Sequence, residues 1–103
     1  MRGLKPYRTL NEFYPYYLSE HASRTSRRLH FLGTSIALVL ATAAVVTQFW
    51  WLSMAAFMQG YAFAWVGHFI FEHNKPATFT YPWLSFLGDF RLWWEMLIGK
   101  IPF

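Results

Sequence analysis

From Phe31 to Phe71 the chain carries no Asp, Glu, Lys or Arg across 41 consecutive positions. His30 stands just before this run, His68 lies three residues before its end, and Glu72 follows it directly. A bilayer hydrocarbon core takes roughly 20 apolar residues per helical span, so the run is too long for one span and fits two joined by a tight turn. Thr47-Gln48 is its most polar point, and Phe49-Trp50-Trp51 follows, an aromatic cluster of the kind enriched at bilayer interfaces. The turn is therefore expected there, between a helix over residues 29–46 and a second over 51–71. The alternative is a buried hairpin in a small globular domain. A chain of 103 residues that is 55% hydrophobic and 22% aromatic has too little polar surface to cover such a core. The run is also too long, and starts too late, to be a signal peptide.

Flanking charge sets the expected orientation. Arg24, Arg27 and Arg28 precede the first helix, Lys75 follows the second, and the turn has no Lys or Arg. Positive-inside bias then puts both termini in the cytoplasm, at a bacterial cytoplasmic membrane or, in a eukaryote, at the endoplasmic reticulum. The hairpin also has a chemical consequence. His30 and His68 are each 19 residues from Phe49, so at a rise of about 1.5 Å per residue both lie roughly 28 Å from the turn, at the same depth. Gly33, Ala37 and Ala41 recur at four-residue spacing after His30, and Ala56, Gly60 and Ala64 do so on the way to His68. Such rows allow helices to approach closely in lipid, and if they face each other the histidines do too.

The length allows a single domain, here an all-α membrane domain. A net charge of +4 could point to nucleic acid, but the basic residues are few and sit beside the apolar run, so anionic head groups account for them and no nucleic-acid partner is expected. Cysteine is absent, which excludes disulfides, iron–sulfur clusters and thiolate metal sites. Two or three helices make a thin bundle, so self-association is expected.

Residues 1–28 form a basic, aromatic N-terminal segment. Thr9-Leu10-Asn11-Glu12 has capping-box spacing and starts a helix, although Pro15 would also suit a start nearer Tyr14. Phe13, Tyr17 and His21 share a face of that helix, which lies on the membrane or packs under the hairpin. Ser23 to Ser26 is a polar break, after which His21 can fold back towards His30. Residues 72–82 read as a loop, with Pro76 and Pro82 disfavouring helix before them. Residues 83–100 read as an interfacial helix, because Asp89, Arg91 and Glu95 argue against a simple span. Arg91 and Glu95 make an i,i+4 pair.

The candidates for chemistry are His21, His30, His68, Glu72 and His73. Histidine is the commonest metal-ligating side chain, and an ionisable group on the packing face of a membrane helix usually marks a function. Each residue has a plainer alternative: His30 as an interfacial residue, Glu72 as a solvated helix end or partner of Lys75, and His73 as a solvated side chain. Three histidines, or two with a carboxylate, would leave open metal positions suited to non-haem Fe(II) and oxygen, with Zn(II) also compatible. A haem carrier with His30 and His68 as axial ligands, and a structural protein without metal, are the alternatives to an enzyme.

Several segments together resemble a known family. They are Phe13-Tyr14-Pro15-Tyr16-Tyr17-Leu18-Ser19-Glu20-His21 with Arg27-Arg28-Leu29-His30-Phe31-Leu32-Gly33-Thr34, then Gly60 to Glu72, Asn74 to Phe79, and Gly88-Asp89-Phe90. This pattern is similar to that of the small membrane proteins long catalogued as a domain of unknown function, which include the yeast protein of phytosphingosine metabolism to odd-numbered fatty acids. The resemblance implies an Fe(II)-dependent dioxygenase that uses O2 to shorten 2-hydroxy fatty acids by one carbon, with membrane lipid around it. It implies His21, His30 and His68 as metal ligands, and Glu72 and Asn74 as contacts to those ligands or to substrate. Arg27 or Arg28 could pair with the substrate carboxylate, which suits the bidentate geometry of a guanidinium.

Overall fold

A computed structural model describes residues 7–75 and 80–103. The described residues are all helical or irregular: α1 (Leu10–Ser19), α2 (Arg24–Thr47), α3 (Trp51–Val66), a π-helical segment (Gly67–Glu72) that continues α3, and α4 (Pro82–Leu97). The expected loop over residues 72–82 lies partly outside the described residues, at 76–79, as does the leader before Tyr7.

The capping box forms as the spacing requires. Thr9 accepts from the Glu12 backbone N–H at 3.2 Å, and Glu12 accepts in return from the Thr9 N–H at 3.2 Å. The helix therefore starts at Leu10 and carries Pro15 inside it, not at its first turn. Ser23 caps α2 through the Ser26 N–H, so that helix begins at Arg24 and takes Arg27 and Arg28 into its first turns. Gln48 ends it in the left-handed region (φ 59°). Phe49 and Trp50 complete the turn into α3.

Antiparallel α2 and α3 bring the two rows of small residues together. A Cβ on Gly33 would stand 3.0 Å from Phe63 Cβ and 3.5 Å from Gly60 Cα, so backbone meets backbone at this level. Gln59 ties the pair by donating to the Gly33 carbonyl at 2.8 Å. Away from this seam, large apolar side chains face outward: Val39, Val46, Trp51, Met54 and Met58 are each about two-thirds exposed or more.

Among the described residues, α2 alone is long and apolar enough to cross a membrane as a single helix. The expected second span is 16 residues of α3 followed directly by six with π winding. Sixteen residues of α-helix reach about 24 Å, short of a hydrocarbon core of roughly 30 Å. A second span would therefore need the π segment as well, which residue periodicity does not anticipate.

The closed core lies at the other end of the molecule. Phe13, Tyr14 and Tyr17 of α1 interlock with Leu84, Leu92 and Met96 of α4. Gly88 makes this possible, because a Cβ there would fall 2.9 Å from the Tyr17 ring. A polar network seals the edge. Tyr14 donates to Glu95 at 2.7 Å, and Arg91 pairs with Glu95 at 3.2 Å, as expected. Arg91 also lies 4.0 Å over the Tyr14 ring and donates to Asn11, while Lys100 approaches Glu95 at 3.6 Å. Helix α4 is therefore not simply laid on a surface. Its one face is packed on α1, while Trp83 and Trp94 remain exposed.

Candidate metal centre

Three histidines from three segments meet where the α1–α4 core joins the α2–α3 seam. His21 follows α1, His30 lies in α2 and His68 in the π segment, and they are exposed by only 1, 5 and 2%. One nitrogen from each lies within 4.8 Å of the others. His21 Nε2 is 2.9 Å from His30 Nε2, and the ring of His21 stands 4.5 Å from that of His68.

Each ring is held from behind. The Tyr17 carbonyl can only accept, so His21 donates to it through Nδ1 at 2.7 Å. Asn74 donates its amide N–H to the Glu20 carbonyl at 3.2 Å, which turns its oxygen towards His68, and His68 Nδ1 donates to that oxygen at 2.7 Å. His30 Nδ1 faces Asp89 Oδ1 at 3.5 Å. Asp89 in turn accepts from the Tyr17 hydroxyl at 2.5 Å, and the Tyr17 ring stacks on His21 at 4.1 Å. With its Nδ1 proton on the Tyr17 carbonyl, His21 presents an Nε2 lone pair to His30 Nε2, a contact that either a His30 Nε2–H or an ion shared by the two rings satisfies. The 2.9 Å separation is close to the roughly 3 Å expected when two imidazoles at about 2.1 Å from one ion subtend a right angle. Back-support of a ligating imidazole by a carbonyl or carboxylate is the usual construction around metals. The donor set therefore fits a divalent ion of imidazole preference.

Electrostatics agree. Burial first, then the neighbouring His30 and His68, hold the His21 imidazole well below its ordinary value, so it is neutral at pH 7. Burial and then the Asp89 carboxylate push the Tyr17 phenol well above its ordinary range, so it remains a proton donor to Asp89.

The other expected site residues lie around this centre. Glu72 accepts from the Ser23 backbone N–H at 2.7 Å. It caps the start of α2, where a carboxylate is also favoured by the helix dipole, and does not join the histidines. His68 and Glu72 stand about one turn apart in the π segment, but the Ser23 N–H takes the Glu72 carboxylate and the metal-ligand group is made by the three histidines. Asn74 is the support of His68. Arg27 donates to the carbonyls of His21 and Ala22 at 3.0 and 2.9 Å and so braces the connection that presents His21. Arg28 is exposed, donates to the Phe103 carbonyl at 2.7 Å and lies over the Phe103 ring. His73 is exposed in the left-handed region (φ 58°). The haem alternative does not fit. The His30 and His68 rings are 5.3 Å apart, and His21 fills the space where a macrocycle would pass.

Two residues were not singled out by sequence: Asp89 as the partner of His30, and Tyr17 as the partner of Asp89. Their traces in the sequence were the Gly88-Asp89-Phe90 motif and the helix face that Tyr17 shares with His21. Gly67 also matters, since a Cβ there would fall 2.7 Å from Ser26 Oγ. Its absence lets the π segment, and His68 with it, approach α2.

A family model described as 2-hydroxy-palmitic acid dioxygenase Mpo1-like matches residues 7–101. The chain belongs to this family. The Mpo1-like match spans all four helices and all three histidines, and it agrees with the resemblance seen in the sequence motifs. No curated protein and no solved structure gives a match.

Proposed function

We propose that this protein is a membrane-embedded, non-haem Fe(II)-dependent dioxygenase that shortens 2-hydroxy fatty acids by one carbon. The observation that carries this reading is the buried His21–His30–His68 cluster, one nitrogen of each within 4.8 Å of the others and the Nδ1 atoms of His21 and His68 held from outside, in a chain of the Mpo1-like family. His21, His30 and His68 would hold the ion, which would supply the activation of O2. The overall change balances as 2-hydroxy acid plus O2 giving the acid one carbon shorter, CO2 and water. C2 rises from the alcohol to the carboxyl level and C1 leaves as CO2.

The chain's own residues do the positioning. Asp89, the Tyr17 carbonyl and Asn74 orient the three rings. Glu72 clasps the end of the π segment to the start of α2, and Arg27 braces the backbone of His21. Three neutral donors leave a divalent ion's charge unbalanced, which favours an anionic substrate head such as a 2-hydroxy carboxylate. Neutral imidazoles equally suit zinc, so the metal must be identified directly.

The membrane setting is supported by α2, by the outward-facing apolar side chains of α2 and α3, and by Arg24, Arg27 and Arg28 at the histidine end. With both termini cytoplasmic, the metal centre would lie at the inner boundary, where a fatty acid presents its head.

Elemental analysis of protein purified in detergent without oxygen, beside His30→Ala and His68→Ala, tests the proposal. Near-stoichiometric iron that falls in both variants, with O2 uptake and a shortened acid from 2-hydroxypalmitate, is expected. Iron-loaded protein that consumes no O2 with this substrate, or stoichiometric zinc in its place, overturns it.

A further inference from the structure

A groove runs from the histidine cluster along the α2–α3 seam under α4. It starts at His30 and Asp89, passes Ala37 and Gly60, and reaches Ala41 and Ser53, with phenylalanines of α3 and α4 along its side. Its volume is about 140 Å³, near that of an apolar cavity that holds a benzene ring, so a long chain lying in it keeps part of its surface outside the groove. The polarity is graded. Asp89 and His30 stand at one end, whereas the Ser53 hydroxyl at the other is tied to the Trp50 carbonyl at 2.5 Å. One turn beyond Ala41, Ala44 is only 1% exposed, so the helices have closed.

We infer that this groove holds the acyl tail of the substrate and sets how long that tail can be. The inference deepens the proposed function and rests on it for the chemistry of the head. A groove that is mainly apolar along its length, with its carboxylate and imidazole where it meets the metal centre, matches an unbranched chain with one polar end. The alanines and Gly60 leave the width that larger side chains would fill. His30 and Ala41 are eleven residues apart on α2, or about 16 Å. An extended chain advances about 1.2 Å per bond, judged from roughly 3.6 Å per three-bond residue of backbone, so about 14 bonds fit. With C1 and C2 at the cluster, the groove suits acids of about 14 to 16 carbons and stops longer ones near Ala41. Ala37 lies seven residues along, about 10 Å, so a bulky side chain there would end the groove after roughly nine bonds.

Photocrosslinking reads the tail's path without turnover. Two analogues of 2-hydroxypalmitate, one with a diazirine at the terminal carbon and one at mid-chain, would be irradiated with the full protein in lipid nanodiscs and the labelled peptides mapped. The terminal probe is expected at Ala41 and Ser53, and the mid-chain probe at Ala37 and Phe57. Ala37→Phe is expected to abolish terminal labelling within the groove while a 2-hydroxyoctanoate probe still labels near Gly60. Should Ala37→Phe lose its helical signal, Ala41→Phe at the groove's end makes the same test with a longer limit. Both probes labelling the outward face, at Val39, Val46 and Met58, would overturn the inference, as would labelling unmoved by a folded Ala37→Phe. Groove labelling in an inactive protein would sink the dioxygenase and spare the groove. Activity with outward labelling would do the reverse.

Discussion

Asp89→Asn is the most informative single change at the metal centre. It keeps the shape of the side chain and removes its charge. In the wild type one carboxylate oxygen serves two partners, the Tyr17 hydroxyl at 2.5 Å and His30 Nδ1 at 3.5 Å. The carboxylate is only 20% exposed, so its interactions are weakly screened by water. Hydrogen bonds to a charged group contribute about 1.5–3 kcal/mol. Loss of a carboxylate behind a ligating histidine typically weakens metal binding by about 10- to 100-fold. At about 1.4 kcal/mol per decade these two figures agree. Asp89→Asn should therefore bind Fe(II) about 10- to 100-fold more weakly, measured anaerobically by competition with a chromogenic chelator. Tyr17→Phe is the control, because it leaves the charge facing His30. It should lose about 1.5–3 kcal/mol of stability and keep its metal affinity within a few-fold. If Asp89→Asn binds iron as tightly as wild type, or if both variants weaken it equally, Asp89 does not orient His30 through its charge.

Three further outcomes follow from the geometry. Gly88→Ala puts a methyl 2.9 Å from the buried Tyr17 ring, which is pinned between Phe13, Tyr14 and His21, and overpacking of this kind should cost about 1–3 kcal/mol in denaturant melts. Glu72→Gln keeps an acceptor for the Ser23 N–H, so it should retain metal, whereas Glu72→Ala should lose about 1 kcal/mol of stability; loss of metal in Glu72→Gln would make Glu72 a ligand instead. The pH dependence follows from His21, whose folded value is lowered. The unfolded chain takes up a proton that the folded one refuses, so the contribution is complete above about pH 6.5 and declines as pH falls below it. Melting in detergent should drop between pH 7 and 5 in the wild type and drop less in His21→Gln, and an unchanged profile in that variant would remove His21 as its source.

Much of this protein is legible along the chain because a few constraints are local. A charge-free run cannot avoid being helical where water is scarce, since every backbone group must find its partner within the segment. The Thr9–Glu12 box closes within four residues. The equal count from Phe49 to His30 and to His68 places both at one level for any antiparallel pair, whatever the side chains do. His21, nine residues before His30, needed only one turn of chain to return.

What could not be read there depends on contacts between distant segments. Glu72 is one of the candidates for chemistry along the chain, yet its carboxylate is taken by the backbone N–H of Ser23, 49 residues earlier, and nothing in residues 67–72 announces that partner. Asp89 and Tyr17 are 72 residues apart and become partners only because Gly88 lets the Tyr17 ring lie against α4. The groove likewise exists only once α4 crosses the α2–α3 seam. Sequence by itself determined where the helical segments fall and that His30 and His68 share a level, because hydrogen bonding and rise per residue are properties of the segment. Tertiary structure alone decided which groups stand behind those histidines and where a tail can lie, because these are matters of which surfaces come within an ångström or two of one another.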